Sequence, residues 1–157
     1  MIDTMKRSII KAIGLGALSG CAIAAPQSRS VSTVKFNYTD RYIGDVIVNG
    51  VWAAGVDAFG GGGDRIQGLL APTDSSKPIV LAVKWVVGSK YDLATNNYIR
   101  EAGIPREEKS APVELARPFP ADPTYLVIHF YPDGHVEAEL EADRPKRRIA
   151  APKGYDR

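Results

Sequence analysis

The sequence predicts a mainly β protein: a single small antiparallel β-sheet or sandwich-like domain with little helix, after a cleaved signal peptide. Short runs of β-branched and aromatic residues recur along the chain, which is typical of strands. Turns rich in Gly, Asn and Asp separate these runs, and prolines interrupt the passage from 105 to 123. The apolar stretch 12–18 is too short to span a bilayer and fits the core of a signal peptide.

Residues 1–20 have the features of a lipoprotein signal peptide. Three basic residues precede the apolar stretch, and the segment that ends it reads Leu-Ser-Gly-Cys. This segment resembles the bacterial lipobox, in which small residues fit the peptidase and the cysteine thiol accepts the lipid. We therefore expect lipidation at Cys21. An ordinary secretory signal with an incidental cysteine is the alternative.

The residues after the cysteine predict a destination and a domain layout. Ala22 stands where an aspartate would favour retention in the inner membrane, so the resemblance implies an outer-membrane lipoprotein that faces the periplasm. Residues 21–32 are predicted to be a lipidated tether, and 33–142 the β-rich domain. A basic, disordered tail is predicted over 143–157.

Removal of the signal peptide also removes the excess of positive charge. The chain has 20 Lys and Arg against 18 Asp and Glu; the first twenty residues hold three bases and one acid, which leaves 17 of each sign. A balanced mature chain offers no global attraction for nucleic acid or acidic substrates. Cys21 is the only cysteine, so packing without a disulfide must stabilise the domain.

The first half of the domain predicts two strands and a hairpin. Residues 31–37 and 42–48 are rich in β-branched and aromatic side chains, and Thr39-Asp40 supplies a turn between them. Asn49-Gly50 is a strong hairpin signal and leads into a strand at Val51.

The middle of the chain carries weaker signals. The glycines at 60–63 lack the Lys-Ser/Thr of a phosphate-binding loop and predict a flexible hairpin tip. An apolar strand is predicted over 79–87, and a short helix around 97–102. Residues 112–115 are predicted to form an edge strand, because a proline begins them.

The last hairpin has a defined register. Residues 125–131 and 135–141 flank Pro-Asp-Gly, which suits a type I turn with Gly134 in the left-handed region. That three-residue loop pairs Phe130 with Val136, so apolar positions from both strands share one face. The other face then carries Tyr125, Val127, His129, Tyr131, His135, Glu137 and Glu139.

Candidate chemistry is concentrated on that second face. His129, His135 and Glu137 are cross-strand or diagonal neighbours and offer two imidazoles and a carboxylate to Zn²⁺. A half-exposed face with a His–Glu pair is the preferred interpretation, because no fourth ligand is visible; no metal and no cofactor are predicted. Glu137, Glu139 and Glu141 indicate a solvated edge strand. The mature chain has no nucleophile-elbow motif, so no catalytic residue is assigned and no enzyme is predicted.

A family resemblance extends this interpretation. The segment 37–43, its continuation 46–50, the glycine tract, Val83-Lys84-Trp85 and the last hairpin are similar to a family of short bacterial lipoproteins. Members of that family are encoded beside phospholipase effectors of type VI secretion and look like the immunity proteins that neutralise them. The resemblance therefore implies a phospholipase inhibitor in the periplasm. Many members have adjacent cysteines after the glycines, where this chain has Ile66-Gln67-Gly68.

The same resemblance implies an effector-binding segment at Asn37, Tyr38, Asp40, Arg41 and Tyr42, since loops held by a sheet commonly carry recognition. The alternative is structural: the two tyrosines pack in the core and Asp40-Arg41 only make the turn. Two other function classes stay open. One is an envelope structural or assembly lipoprotein without a toxin partner, and the other is a hydrolase with a site near His129.

Overall fold

The computed structural model describes residues 29–64, 69–72, 74–99 and 106–155. The regular secondary structure of these residues consists of β-strands. No helix occurs among those residues, so the prediction of a mainly β protein with little helix is confirmed. The strands are β1 (Arg29–Ser30), β2 (Ser32–Asn37), β3 (Arg41–Val48), β4 (Val51–Ala53), β5 (Gly61–Asp64), β6 (Leu70–Ala71), β7 (Val80–Asp92), β8 (Asn97–Tyr98), β9 (Glu107–Ala116), β10 (Tyr125–Phe130) and β11 (Val136–Glu141).

The main sheet has the order β4-β3-β7-β9-β11-β10-β2-β5, with β8 beside β7, and curls into a half-barrel. Strands β1 and β6 form a separate ribbon. Most pairs are antiparallel, as predicted, but β2 lies parallel to β10 and β9 lies parallel to β11. Hairpin signals could not predict these two pairs, because they join segments that are distant in sequence.

The inner face of the curled sheet holds the main apolar core. Alternate residues of β3, β7, β9, β10 and β11 point into it, and Val46, Val83 and Ile128 are completely buried there. Burial of one such side chain contributes about 1.5–3 kcal/mol. The packing of these strands therefore replaces the disulfides that the chain lacks.

Both predicted hairpins form with the expected turn chemistry. Asn49 and Gly50 have φ of 49° and 83° and join β3 to β4, which is the left-handed backbone that this pair favours. In the last hairpin Phe130 pairs with Val136, and Gly134 has φ of 88°. The three-residue loop and its register are confirmed.

The glycine tract and the predicted edge strand differ from expectation. Gly61–Asp64 is strand β5, paired with β2, and not a flexible tip. Residues 112–115 lie inside the ten-residue strand β9, between β7 and β11. A proline fits there because β11 pairs only with Leu115 and Ala116, which leaves the β9 edge beside Pro112 open.

The predicted helix and both terminal segments also differ where they are described. Asn97–Tyr98 is strand β8, and residues 100–102 of the predicted helix lie outside the described residues. Part of the predicted tether is folded: Arg29–Ser30 pairs with β6, and Val31 is buried. The predicted signal peptide and Cys21 lie outside the described residues.

Candidate functional site

The segment from Asn37 to Tyr42 is a turn held by a buried amide. Asn37 Nδ2 donates to the carbonyl oxygens of Arg41 at 2.7 Å and Asp57 at 3.0 Å. Its Oδ1 accepts from the backbone N–H of Thr39 at 2.9 Å and from the Thr39 hydroxyl at 2.8 Å. Asn37 is completely buried, so this predicted partner-binding residue shapes the turn from within.

The two tyrosines of the segment differ in exposure. Tyr38 is buried, with 5% of its surface exposed, whereas Tyr42 is 37% exposed. The Tyr42 ring lies over glycines: a Cβ added at Gly55 would come within 2.2 Å of its hydroxyl oxygen. The structural alternative therefore holds for Tyr38, while Tyr42 presents one edge to solvent.

Asp40 and Arg41 point towards the surface. Asp40 Oδ2 lies 3.4 Å from Lys90 Nζ. Arg41 Nε donates to the Gly88 carbonyl at 2.8 Å, and Nη1 lies 3.8 Å from Glu107 Oε1. Arg41 Nη2 is buried and has no hydrogen-bond partner among the described residues. The guanidinium thus retains a donor.

A cleft of about 520 Å³ lies between this turn and the turn of the last hairpin. Its floor is apolar and includes Trp85 and Phe130, whose ring centroids are 5.6 Å apart. Its rim carries charged and polar side chains from both turns and from β9: Asp40, Arg41, Glu107, Lys109 and His135. The cleft thus brings the predicted segment and the last hairpin turn onto one concave surface.

A second polar centre lies on the outer face of β10. His129 is completely buried there. Its Nδ1 lies 2.8 Å from the Tyr38 hydroxyl, and its Nε2 lies 3.0 Å from Glu139 Oε1. Burial lowers the pKa of His129 below its ordinary 6.5, and this effect outweighs the Glu139 carboxylate, which acts to raise it. The imidazole is therefore neutral at pH 7.

The predicted disordered tail closes over this centre. Arg148 Nη2 lies 2.6 Å from Glu139 Oε2, and its other terminal nitrogen contacts Glu137 and donates to the Tyr131 hydroxyl at 3.1 Å. Although partial burial acts to raise the pKa of Glu137, hydrogen bonds from Tyr131 and Arg148 hold it below its ordinary value. Opposite charge on the hairpin thus holds the basic segment against the sheet, whereas the sequence predicted a disordered tail.

The prediction of a solvated edge for Glu137, Glu139 and Glu141 also requires correction. Strand β11 lies between β9 and β10, and Glu139 is only 21% exposed because Arg148 covers it. His129, His135 and Glu137 do share a face, as predicted. His135, however, contacts Asp133 at 2.5 Å, and among the described residues no group of three His, Cys, Asp or Glu side chains is placed to hold a metal ion.

Two cations of this region were not found by sequence reasoning. Arg147 lies 5.4 Å from the centroid of the Tyr38 ring, and Arg148 bridges both glutamates. A usable signal exists, because two alternating glutamates beside a histidine match a following Arg-Arg pair in charge. Nothing in the sequence around Lys35 predicted its burial. Lys35 is completely buried, and its Nζ donates to the Ala54 carbonyl at 2.6 Å.

Comparison with known families assigns the chain. Residues 36–138 match the model of a family described as protein of unknown function (DUF3304). The chain belongs to this family. The match begins at the buried end of β2 and ends inside β11, so it contains both turns of the cleft. No curated protein and no solved structure matches the chain. Within the described residues no helix has the length and apolarity needed to cross a membrane.

Proposed function

We propose that this DUF3304 protein binds and neutralises a phospholipase effector of type VI secretion, as an immunity lipoprotein held at the outer membrane by lipid on Cys21. The observation that carries the proposal is the position of the effector-binding segment inferred from the resemblance. Asp40 and Arg41 form part of the rim of an open cleft, and the buried Asn37 amide fixes the turn that presents them.

The cleft has the composition of a protein-binding site. An apolar floor with a charged rim matches the centre of a recognition surface, where desolvated anchors dominate the binding energy. The turn and the hairpin loop are both held by the sheet, so binding costs little ordering entropy. Among the residues that the structure describes, Arg41 Nη2 has no hydrogen-bond partner, so it can donate to an acceptor on the effector once the rim adjusts.

The affinity required of such a complex sets its size. A nanomolar complex corresponds to about −12 kcal/mol. Stable, specific interfaces commonly bury roughly 1,600 Å² in total, which is more surface than the walls of the cleft provide. We therefore expect the cleft to receive an anchor of the effector while the surrounding loops complete the interface.

Effector activity tests the proposal directly. The domain that begins at residue 22 is titrated into an assay of lipid hydrolysis by the phospholipase encoded beside it, and complex formation is followed by size-exclusion chromatography. We expect stoichiometric inhibition and a stable complex, with no lipid hydrolysis by the domain itself. Undiminished hydrolysis at saturating domain, without a complex, would refute the proposal.

A matched pair of arginine variants locates the interface. Arg41→Ala removes a cleft donor and should weaken binding by about 2 kcal/mol, a loss of roughly 30-fold. Arg117→Ala removes an exposed arginine that contacts Glu114 on β9 and does not line the cleft, so it should leave affinity unchanged. Equal losses in both variants would place the interface elsewhere.

The membrane anchor has its own test. Cys21→Ser removes the only thiol that could accept lipid, so metabolic labelling with a radioactive fatty acid should disappear. Continued labelling of the variant would contradict the anchoring part of the proposal and leave the effector assay unaffected.

A further inference from the structure

The C-terminal residues 144–155 lie across two parts of the domain. The backbone N–H of Arg148 donates to the Tyr38 hydroxyl at 3.1 Å, and Arg147 Nη1 donates to the Phe59 carbonyl at 2.5 Å. Further along, the Tyr155 ring packs edge-on against Phe59, with centroids 5.8 Å apart. We name this segment the clasp.

The contacts of the clasp assign a direction to each proton. A backbone N–H can only donate, so the Tyr38 oxygen accepts from Arg148. The Glu139 carboxylate can only accept, so His129 carries a proton on Nε2 and donates it to Glu139, which also accepts from Arg148. In the neutral imidazole Nδ1 is then unprotonated and accepts from the Tyr38 O–H. This circuit closes on itself only when His129 is neutral.

Protonation of His129 breaks the circuit at one bond. Nδ1 becomes a donor and faces the Tyr38 oxygen, which already accepts from Arg148. The Tyr38 proton then loses its acceptor, and a buried donor without a partner is unfavourable. The imidazolium also lies near the Arg148 guanidinium, because the two groups contact different oxygens of the Glu139 carboxylate, and the two positive charges repel each other.

We propose that the clasp is a pH-sensitive strap, closed while His129 is neutral and released when His129 becomes protonated. Its release changes one wall of the cleft, because Tyr38, Phe59 and Tyr131 contact the clasp and also line the cleft. The strap belongs to the fold and does not depend on the function proposed above.

The charges around His129 determine the sign of the pH response. Glu137 and Glu139 of β11 favour the imidazolium, whereas Arg148 of the clasp opposes it. Tyr38 and Tyr131 contribute hydroxyls, and Arg147 lies over the Tyr38 ring. Burial is the largest effect and lowers the pKa of His129 below 6.5, so the clasp should stay closed at pH 7 and open on acidification.

Hydrogen exchange of the mature domain measures the opening. After correction for intrinsic rates, the amide of Arg148, which donates to Tyr38 in the closed clasp, should exchange about tenfold faster at about pH 5.5 than at about pH 7.5. A peptide covering 125–141 serves as an internal reference and should change little. Equal protection of the clasp at both pH values would overturn the proposal.

The two histidines of the chain provide a matched control. His129→Gln cannot become charged but keeps a donor for Glu139, so the pH response of the clasp should disappear. His135→Gln alters the exposed histidine of the same hairpin, outside the circuit, and should retain the response. A response that persists in His129→Gln, or vanishes in His135→Gln, contradicts the inference.

A measurement on the unaltered domain covers the case in which His129→Gln fails to fold. Nitrogen NMR of the imidazole should show the Nε2–H tautomer at neutral pH, and a titration midpoint below 6.5 that coincides with clasp exchange. The opposite tautomer, or a ring that stays neutral until the whole domain unfolds, would also overturn the proposal.

Discussion

The two outer faces of the sheet differ in what lies over them. Along β10 every residue from Leu126 to Phe130 is buried, so both faces of this strand are covered. Along β7 exposed and buried residues alternate from Val80 to Trp85, so its outer face meets solvent. We call the outer surface of β2, β10 and β11 the covered face, and that of β3, β4 and β7 the bare face.

The difference shows how a small sheet without disulfides can hold a buried polar centre. The clasp and strand β5 exclude water from His129 and Phe36, and ion pairs with Arg148 replace the lost hydration of Glu139. The bare face needs no such cover, because its charged side chain Lys84 is exposed and can be solvated. Ile47, which pairs with Lys84 across β3 and β7, is only half-buried. Polar groups are thus solvated on one face and paired on the other.

The largest expected effect contrasts one aromatic residue on each face. Phe36→Ala on the covered face should cost about 3–5 kcal/mol of unfolding free energy, because the ring packs among His129, Tyr38 and the β5 backbone. Trp52→Ala on the bare face should cost no more than about 0.5 kcal/mol, since Trp52 is 61% exposed. Urea denaturation measures both losses from the shift in unfolding midpoint, provided that the dependence of unfolding free energy on urea is the same in each variant. Similar losses would mean that the faces are not distinct.

Two neighbouring glycines of β5 test the packing against Phe36 on the covered face. A Cβ at Gly61 would come within 2.7 Å of the Phe36 ring, whereas one at Gly62 would meet nothing within 4 Å. Gly61→Ala should therefore destabilise the domain by about 1–3 kcal/mol. Gly62→Ala should be neutral or stabilise it by about 0.4–1 kcal/mol, because it restricts the unfolded chain. Thermal unfolding of the pair is the measurement, and equal melting temperatures would contradict this account of the glycine tract.

The losses of unfolding free energy in arginine variants on the two faces should differ by less than those of the aromatic variants. Arg148→Ala leaves Glu139 and Glu137 without their shared cation and should cost about 1–2 kcal/mol, a figure reduced for the partial exposure of the guanidinium. Arg106→Ala removes a single exposed pair with Asp45 beside the bare face and should cost less than about 0.5 kcal/mol. Denaturant unfolding in low and high salt separates them, and a loss for Arg106→Ala as large as that for Arg148→Ala would refute the distinction.

Part of this contrast was available from the sequence. The run Leu-Val-Ile-His-Phe in β10 is almost continuously apolar, which is typical of a strand buried on both faces, and the register of its hairpin followed from Pro-Asp-Gly. The parallel pairing of β2 with β10 was not available, because alternation reports a strand and not its distant neighbour. Without that pairing, Tyr38 could not be placed beside His129.

The candidate functional site, like the fold, could be predicted from the sequence only in part. The turn at Thr39-Asp40 was predicted correctly, but partner binding by the segment 37–42 stays a prediction, because turns and recognition loops use the same residues. The burial of Asn37 by four hydrogen bonds and the clasp over Glu139 depend on tertiary contacts that local spacing does not encode. Charge complementarity between the acidic hairpin and Arg147-Arg148 was the signal that would have corrected the prediction of a disordered tail.

The smallest expected effect is a pH dependence of global stability that belongs to the covered face. Because burial lowers the pKa of His129 in the folded protein below 6.5, the unfolded chain binds more protons as the pH falls through that value. Unfolding free energy should therefore be constant above about pH 7 and should decrease below 6.5, by at most about 1.4 kcal/mol per pH unit.

Two acidic groups of the same hairpin do not interfere in the interval between about pH 5.5 and 6.5. Asp133 and Glu137 have pKa values lowered from 3.8 and 4.5, so the stability that they contribute is lost only at lower pH. Unfolding of the unaltered domain, His129→Gln and His135→Gln in urea across this interval measures the effect. The slope should vanish in His129→Gln and persist in His135→Gln. If all three keep the same slope, the acid response belongs to other groups, and the covered face then owes its order to packing alone.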